Sequence, residues 1–226
     1  MTDAIEPALT HPGLVAGFTR RDFSPADAGQ DAARARLAEV IGMPVASVGQ
    51  VHQASVATVR EPGHVAAHDG LVTDVRGLVL SVVAADCALV LLADSEAGVV
   101  GACHSGWRGT VAGIAGQTVA AMARLGAEPA RIVAALGPCI SAQAFEVGEE
   151  VAAAFDASAV SRRPEWPRPH VGLRADLVRQ LGEAGVSDVE TNEACTVGDN
   201  DRFFSYRAES GTPGRMLGFV GLRPGL

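Results

Sequence analysis

Three short segments carry side chains that can bind a metal or attack a substrate. Gln50-Val51-His52 ends one apolar run in an imidazole, and Ala84-Ala85-Asp86-Cys87 ends another in an acid and a thiol. His104-Ser105-Gly106-Trp107-Arg108-Gly109 carries a second imidazole into a glycine-bounded turn. Two imidazoles and a thiolate suit Zn²⁺, which is borderline-soft and favours nitrogen and sulfur. No fourth protein ligand is evident, and an open position is what a catalytic metal requires. Each segment also has a packing reading: a hydrogen-bonded structural histidine, a buried free thiol, a Trp-Arg pair seating a helix on a sheet. The candidates lie 35 and 17 positions apart, too far for a local motif of the zinc-finger kind. Spacing alone leaves both readings open.

Composition narrows the chemistry. All 18 basic residues are arginine. Without a lysine there is no Schiff-base enzyme, no pyridoxal-phosphate enzyme and no Walker-type nucleotide loop. A net charge of −8 argues against a nucleic-acid footprint or an anionic membrane surface. The 226 residues are 48% hydrophobic and 19% charged, enough to bury a core as one domain, 1–226, without disulfides. The cysteines at 87, 103, 139 and 195 show no paired spacing and read as reduced thiols. The start, MTDAIEPALTHPG, has no apolar core of signal-peptide length, and no run is long enough to span a bilayer. A cytoplasmic protein is the expectation.

The elements that must hold these residues follow from periodicity. Residues 13–20 read as a strand and Asp31 to Ile41 as a helix stopped by Gly42. Short strands are expected at 45–51, 55–60, 78–84, 88–93 and 98–103, the third and fourth covered on both faces. From Thr110 the period changes, and Val111, Ile114, Thr118, Met122 and Leu125 predict a helix closed by Gly126. A strand at 131–136, a helix at about 142–155 capped by Ser141, a surface loop at 157–170 and a helix from Leu173 to Glu183 follow. Two or three short strands, one at 215–222, finish the chain. Five strands before the first long helix of the middle region disfavour a doubly wound sheet and predict a mixed-sheet α/β sandwich.

The strings ADC (85–87), HSGWRG (104–109), LGPCIS (136–141), FFSYR (203–207) and GRM (214–216) together resemble the YfiH/laccase-domain family. Its members have been labelled polyphenol oxidoreductases, peptidoglycan editing factors and purine nucleoside phosphorylases. The likeness covers roughly residues 45–222, in order. It implies an α-β-β-α sandwich similar to the cytotoxic-necrotizing-factor deamidases, and zinc held by His52, Cys87 and His104. It further implies phosphorolysis of purine nucleosides, adenosine deamination and cleavage of methylthioadenosine. Two features depart from the family: Gln53 follows the first histidine where Gly is usual, and FTRRDFSP (18–25) replaces a TxRxGGVS segment and an SLNL string.

Roles follow as expectations. A metal at His52, Cys87 and His104 would act as a Lewis acid, and Asp86 is a candidate to orient a histidine or shuttle a proton. With no lysine, phosphate must be held by arginines: Arg108 is nearest the ligands, and Arg21 matches the family's arginine. Cys139 precedes the expected helix, where a dipole lowers a thiol pKa, but a packing thiol is the preferred reading. Phe203, Phe204 and Tyr206 can stack on a purine or fill a core strand. A rival chemistry makes Cys87 a nucleophile and His104 its base, in an amidase acting on peptidoglycan precursors. Six histidines without a His-x-His pair cannot build a multicopper oxidase, although copper can enter the single site. The H-x-E plus P-C-x-x-C pattern of zinc nucleobase deaminases is absent. The expected partners are a nucleoside and phosphate, the expected assembly a monomer or homodimer.

Overall fold

The computed structural model describes residues 3–24, 26–211 and 214–225. The strands are β1 (Ile5–Pro7), β2 (Leu14–Thr19), β3 (Val45–Val48), β4 (Val56–Thr58), β5 (Gly63–Val65), β6 (Gly70–Thr73) and β7 (Val79–Ala84). They continue with β8 (Ala88–Asp94), β9 (Val99–Ser105), β10 (Val133–Leu136), β11 (Val160–Ser161), β12 (His170–Val171), β13 (Asp188–Thr191) and β14 (Met216–Leu222). The helices are α1 (Gly29–Ile41), α2 (Trp107–Val111), α3 (Ile114–Arg124), α4 (Glu149–Ala152) and α5 (Leu173–Glu183).

Two six-stranded mixed sheets, ordered β1-β2-β14-β7-β3-β5 and β13-β10-β8-β9-β6-β4, lie face to face. Alternation along the central strands shows why. In β7, Leu80, Val82 and Ala84 enter the core between the sheets, while Val79 and Val83 join Leu37 and Ile41 of α1 on the outer face. In β8, Leu89 and Leu91 point into that same inter-sheet core. Val90 and Leu92 meet Ile114 and Met122 of α3 and Leu177 of α5 on the other outer face. Period-two side-chain direction thus feeds three packed layers from two apolar runs. The result is the mixed-sheet sandwich that the periodicity predicted, in the α-β-β-α order that the family resemblance implied.

The expected strands at 13–20, 78–84, 88–93, 98–103 and 215–222 all form, and Gly42 ends α1 in the left-handed region with its N–H on Ala38 O. Two helices differ from expectation. The helix read from Thr110 is two: Gly113, at φ 76°, separates α2 from α3, so the glycine-bounded turn after His104 is itself helical. The helix read over 142–155 shrinks to α4. Ser141 caps a turn instead, accepting Ala144 and Phe145 N–H, and Val147 N–H goes to Pro169 O. Packing of Ile140, Val147 and Phe155 against Val171 and Leu173 overrides the alanine-rich local preference. The loop at 157–170 contains the small β11–β12 pair. Strands β13 and β14 are short strands of the kind expected to finish the chain, whereas β1, β5 and β6, none longer than four residues, lie outside the expected elements.

Gly137, which leads from β10 toward the site, is a space requirement. A Cβ there would lie 2.6 Å from two ring carbons of the buried Phe18. Gly137→Ala is expected to cost about 1–3 kcal/mol through overpacking, read as a lowered urea midpoint with an unchanged slope.

Candidate metal centre

The three predicted ligands meet. His52, Cys87 and His104 place their donor atoms within 4.8 Å of one another. Metal–ligand bonds of roughly 2.0–2.3 Å put donors around one ion at most about 4.6 Å apart, so a small inward adjustment of the side chains brings the triad to that size. The His52 and His104 rings stand edge to face, with centroids 4.9 Å apart. Cys87 sits in the turn that carries the chain from β7 in one sheet to β8 in the other. Leu89 of β8 pairs with His104 of β9, which brings thiol and imidazole to the same end of the sandwich. Gln50 extends the β3–β7 edge with its side chain, donating to Val83 O (2.7 Å) and accepting from Val83 N (2.8 Å). That rung aims the following residues at the Cys87 turn.

Asp69, fully buried just before β6, organises the centre. Its Oδ1 accepts from His52 N (3.0 Å) and pairs with His104 Nδ1 (2.9 Å). Its Oδ2 accepts from Val51 N (3.1 Å) and Gln53 N (2.8 Å). One carboxylate therefore shapes the loop bearing one ligand and fixes the ring of another. With Nδ1 committed to Asp69, Nε2 of His104 is the nitrogen left for metal. His52 itself has φ 61°, a left-handed backbone for a side chain that is not glycine, sustained by these bonds. Only the backbone N–H of Gln53 is used here, and its φ is not among the positive ones, so the family's usual glycine is dispensable.

Electrostatics follow from this arrangement. Burial opposes ionisation of Cys87, but hydrogen bonds from His104 and His52 outweigh it and bring the thiol down to about 7. Burial likewise disfavours a charged His104, yet its bonds to Asp69 and Cys87 raise it to about 9. Burial works against the Asp69 charge too; His104 and the N–H groups of Gln53 and Val51 hold its carboxyl below the usual range. In the metal-free centre His104 thus favours the imidazolium at neutral pH, while Cys87 is poised between thiol and thiolate. Two of the other thiols differ: burial pushes Cys103 up to about 12 and Cys139 up to about 11. Cys139 is fully buried and no helix follows it, which makes it a packing thiol. All four cysteines are free.

Gly106 of the HSGWRG turn leaves room for the centre. A Cβ there would lie 2.9 Å from Cys87 Sγ and 3.3 Å from His52 Cδ2. Gly106→Ala is expected to weaken metal binding by about tenfold or more while leaving the fold intact, because ligand placement fails before packing does. Competition with a chromogenic chelator measures it.

Beside the triad opens a cavity of about 670 Å³, within the range of small-molecule sites, walled by Trp107, Phe145, Tyr206, Asp86, Arg207 and Arg215 among others. Several assignments change here. Asp86 lines the cavity, but its carboxylate accepts from Thr196 Oγ1 (2.6 Å) and Arg207 N (2.7 Å); histidine orientation belongs to Asp69. Arg108 does not line the cavity and lies over the Trp107 ring at 4.3 Å. Arg21 is held by Asn200 O and Glu209 and lies 4.8 Å over Phe204, bracing the FFSYR loop from behind. Its neighbour Pro25 lies outside the described residues. The cavity's arginines are Arg207 and Arg215, from the FFSYR and GRM strings. Phe203 and Phe204 are core residues; of that cluster only Tyr206 reaches the cavity, 55% exposed. Asp69 had one faint signal in sequence, an isolated acid immediately ahead of the apolar run GLVT.

The fold and site define an α-β-β-α sandwich with a His-Cys-His group that could hold a metal. Residues 20–223 match the family described as multi-copper polyphenol oxidoreductase laccase. Over 197 residues the chain is 42% identical to a purine nucleoside phosphorylase of Deinococcus radiodurans, spanning 84% of this chain and 76% of that one. Over 157 residues it is 40% identical to an adenosine deaminase from an unknown prokaryotic organism, spanning 66% and 60% respectively. The solved structure of YlmD from Geobacillus stearothermophilus matches with a TM-score of 0.84 at 31% identity, over 93% of this chain and 92% of that one. The chain belongs to this laccase-domain family, the YfiH family of the sequence resemblance. Among the described residues, His52, Cys87 and His104 are the one group of three able to hold a metal. A multicopper cluster therefore does not fit the residues, whereas a single ion does. No helix among the described residues is long and apolar enough to cross a membrane.

Proposed function

We propose that the protein is a zinc-dependent purine nucleoside phosphorylase that also deaminates adenosine and cleaves methylthioadenosine. One observation carries the reading: the triad opens into a cavity that also presents aromatic faces and two arginines. The names of the relatives, nucleoside phosphorylase and adenosine deaminase, support it. The His₂Cys donor set favours zinc, and zinc held by these residues would supply a Lewis acid beside the cavity. Trp107, Phe145 and Tyr206 offer stacking surfaces for the base. Arg207 and Arg215 hold phosphate with planar, permanently charged forks. Asp69 keeps Nε2 of His104 directed to the metal. Asp86 positions Arg207 through its backbone N–H, while the Arg207 guanidinium also spans to Ala144 O and Glu146 O. The substrate is a small molecule taken up without nucleic acid or membrane, in the cytoplasm, by a monomer or homodimer.

The test is incubation of metal-analysed protein with adenosine, with and without phosphate. Adenine with ribose 1-phosphate supports phosphorolysis and inosine supports deamination; turnover of neither by zinc-loaded protein sinks the proposal. A second reading has its own observation, the Cys87 thiol brought to about 7 beside His104. It makes the pair a nucleophile and base of an amidase acting on peptidoglycan precursors. Chelation separates the two, since it abolishes a zinc enzyme and spares a thiol hydrolase. Copper loading of the same triad is expected to give, at most, weak polyphenol oxidation.

A further inference from the structure

Phosphorolysis of a purine nucleoside needs a proton for the departing base, because a purine anion is a poor leaving group. The metal ligands cannot give one while they hold the ion, and the cavity arginines do not release theirs. His64 can. It lies on β5, outside the sequence strings that mark the site, and lines the same cavity as the triad. It is not part of the ligand group. Its Nδ1 lies 3.0 Å from Ser47 Oγ, a buried hydroxyl that in turn lies 3.5 Å from Gly63 O. Among the described residues nothing bonds its Nε2. Gly49 leaves room for that end of the ring, since a Cβ there would lie 3.0 Å from Nε2. One nitrogen is thus anchored, and the other lies without a hydrogen-bond partner among the described residues, beside Gly49 at the cavity wall.

Resting on the phosphorolysis reading, we propose that His64 is the general acid that protonates the leaving purine. A phosphate oxygen forms its bond to C1′ as the C1′–N9 bond breaks, and that electron pair moves onto the purine. Nε2 of protonated His64 gives its proton to a purine nitrogen, so the base departs neutral. Nδ1–H stays on Ser47 Oγ, and Nε2 recovers a proton from the acidic hydroxyl of the incoming dihydrogen phosphate. The sum is nucleoside plus phosphate to purine plus ribose 1-phosphate.

The test compares two substrates in zinc-loaded wild-type and His64→Gln proteins: inosine, and N7-methylguanosine, whose base already carries a positive charge and leaves without a proton. Loss of general-acid catalysis is expected to lower kcat on inosine by about 100-fold, and kcat on the methylated nucleoside far less, with zinc content unchanged. Ser47→Ala, which frees the ring without removing it, is expected to give the same pattern at smaller amplitude. Equal losses on both nucleosides, or no loss on inosine, overturn the assignment. If wild-type protein releases no sugar phosphate from either nucleoside, the phosphorolysis reading fails and this assignment fails with it.

Discussion

Cys87→Ser protein is expected to fold and to lose nucleoside turnover by about 1,000-fold. That figure takes a metal as worth several kcal/mol to the transition state, at one decade per 1.36 kcal/mol. Serine keeps the size but replaces a soft thiolate by a hydroxyl that stays protonated, so the triad loses the ligand that suits zinc best. The readouts are zinc content after dialysis and phosphate-dependent release of base. Retained turnover in a metal-free Cys87→Ser protein would sink the metal reading. The wild-type centre also has a predictable proton count. Zinc needs a thiolate and a neutral imidazole, and the metal-free thiol sits at about 7 with His104 at about 9. Zinc uptake therefore displaces the His104 proton between pH 7 and 9 and a second, from Cys87, below 7. Affinity falls as pH falls, by roughly tenfold per unit in the upper window and more steeply below it. Competition titrations across that range, with proton release followed in weak buffer, measure it.

Asp69→Asn is expected to do nearly as much damage without touching a ligand. Four donors converge on the Asp69 carboxylate: three backbone N–H groups and the His104 ring. An amide can accept on one side only, and its NH₂ then faces donors on the other. The loop that holds His52 at φ 61° loses its anchor, and His104 loses the partner that fixes its tautomer. Zinc affinity should fall by about 10–100-fold, the usual effect of losing such a partner. Stability should fall by about 3–5 kcal/mol, as for breaking a buried charged pair. Chelator competition gives the first number and urea unfolding of the zinc-loaded protein the second. Wild-type zinc affinity in Asp69→Asn would show that the histidines are oriented by something else.

The sequence by itself determined the layers, and its family likeness named the candidate ligands. Leu80 and Val82 alternate with Val79 and Val83, and Leu89 and Leu91 with Val90 and Leu92, and side-chain direction along a strand leaves such runs no choice but to be covered on both faces. His52, Cys87 and His104 stand at strand ends marked by small or turn-forming residues, and the family likeness joined the three as one ligand set. The tertiary structure decided which acid and which arginines serve the centre. Asp69 meets His104 across 35 residues, and Asp86 meets Thr196 across 110. No periodicity or propensity encodes such pairings, because a buried carboxylate is claimed by whichever donors the packed sheets bring to it. Proximity in sequence favoured Asp86 and Arg108, and the family likeness favoured Arg21. The fold instead turned Arg108 onto Trp107 and Arg21 onto Phe204, and brought Arg207 and Arg215 to the cavity. The three residues able to hold a metal could thus be named along the chain with the help of the family likeness, while those that hold them in place, and those that line the cavity, are fixed only when the two sheets close.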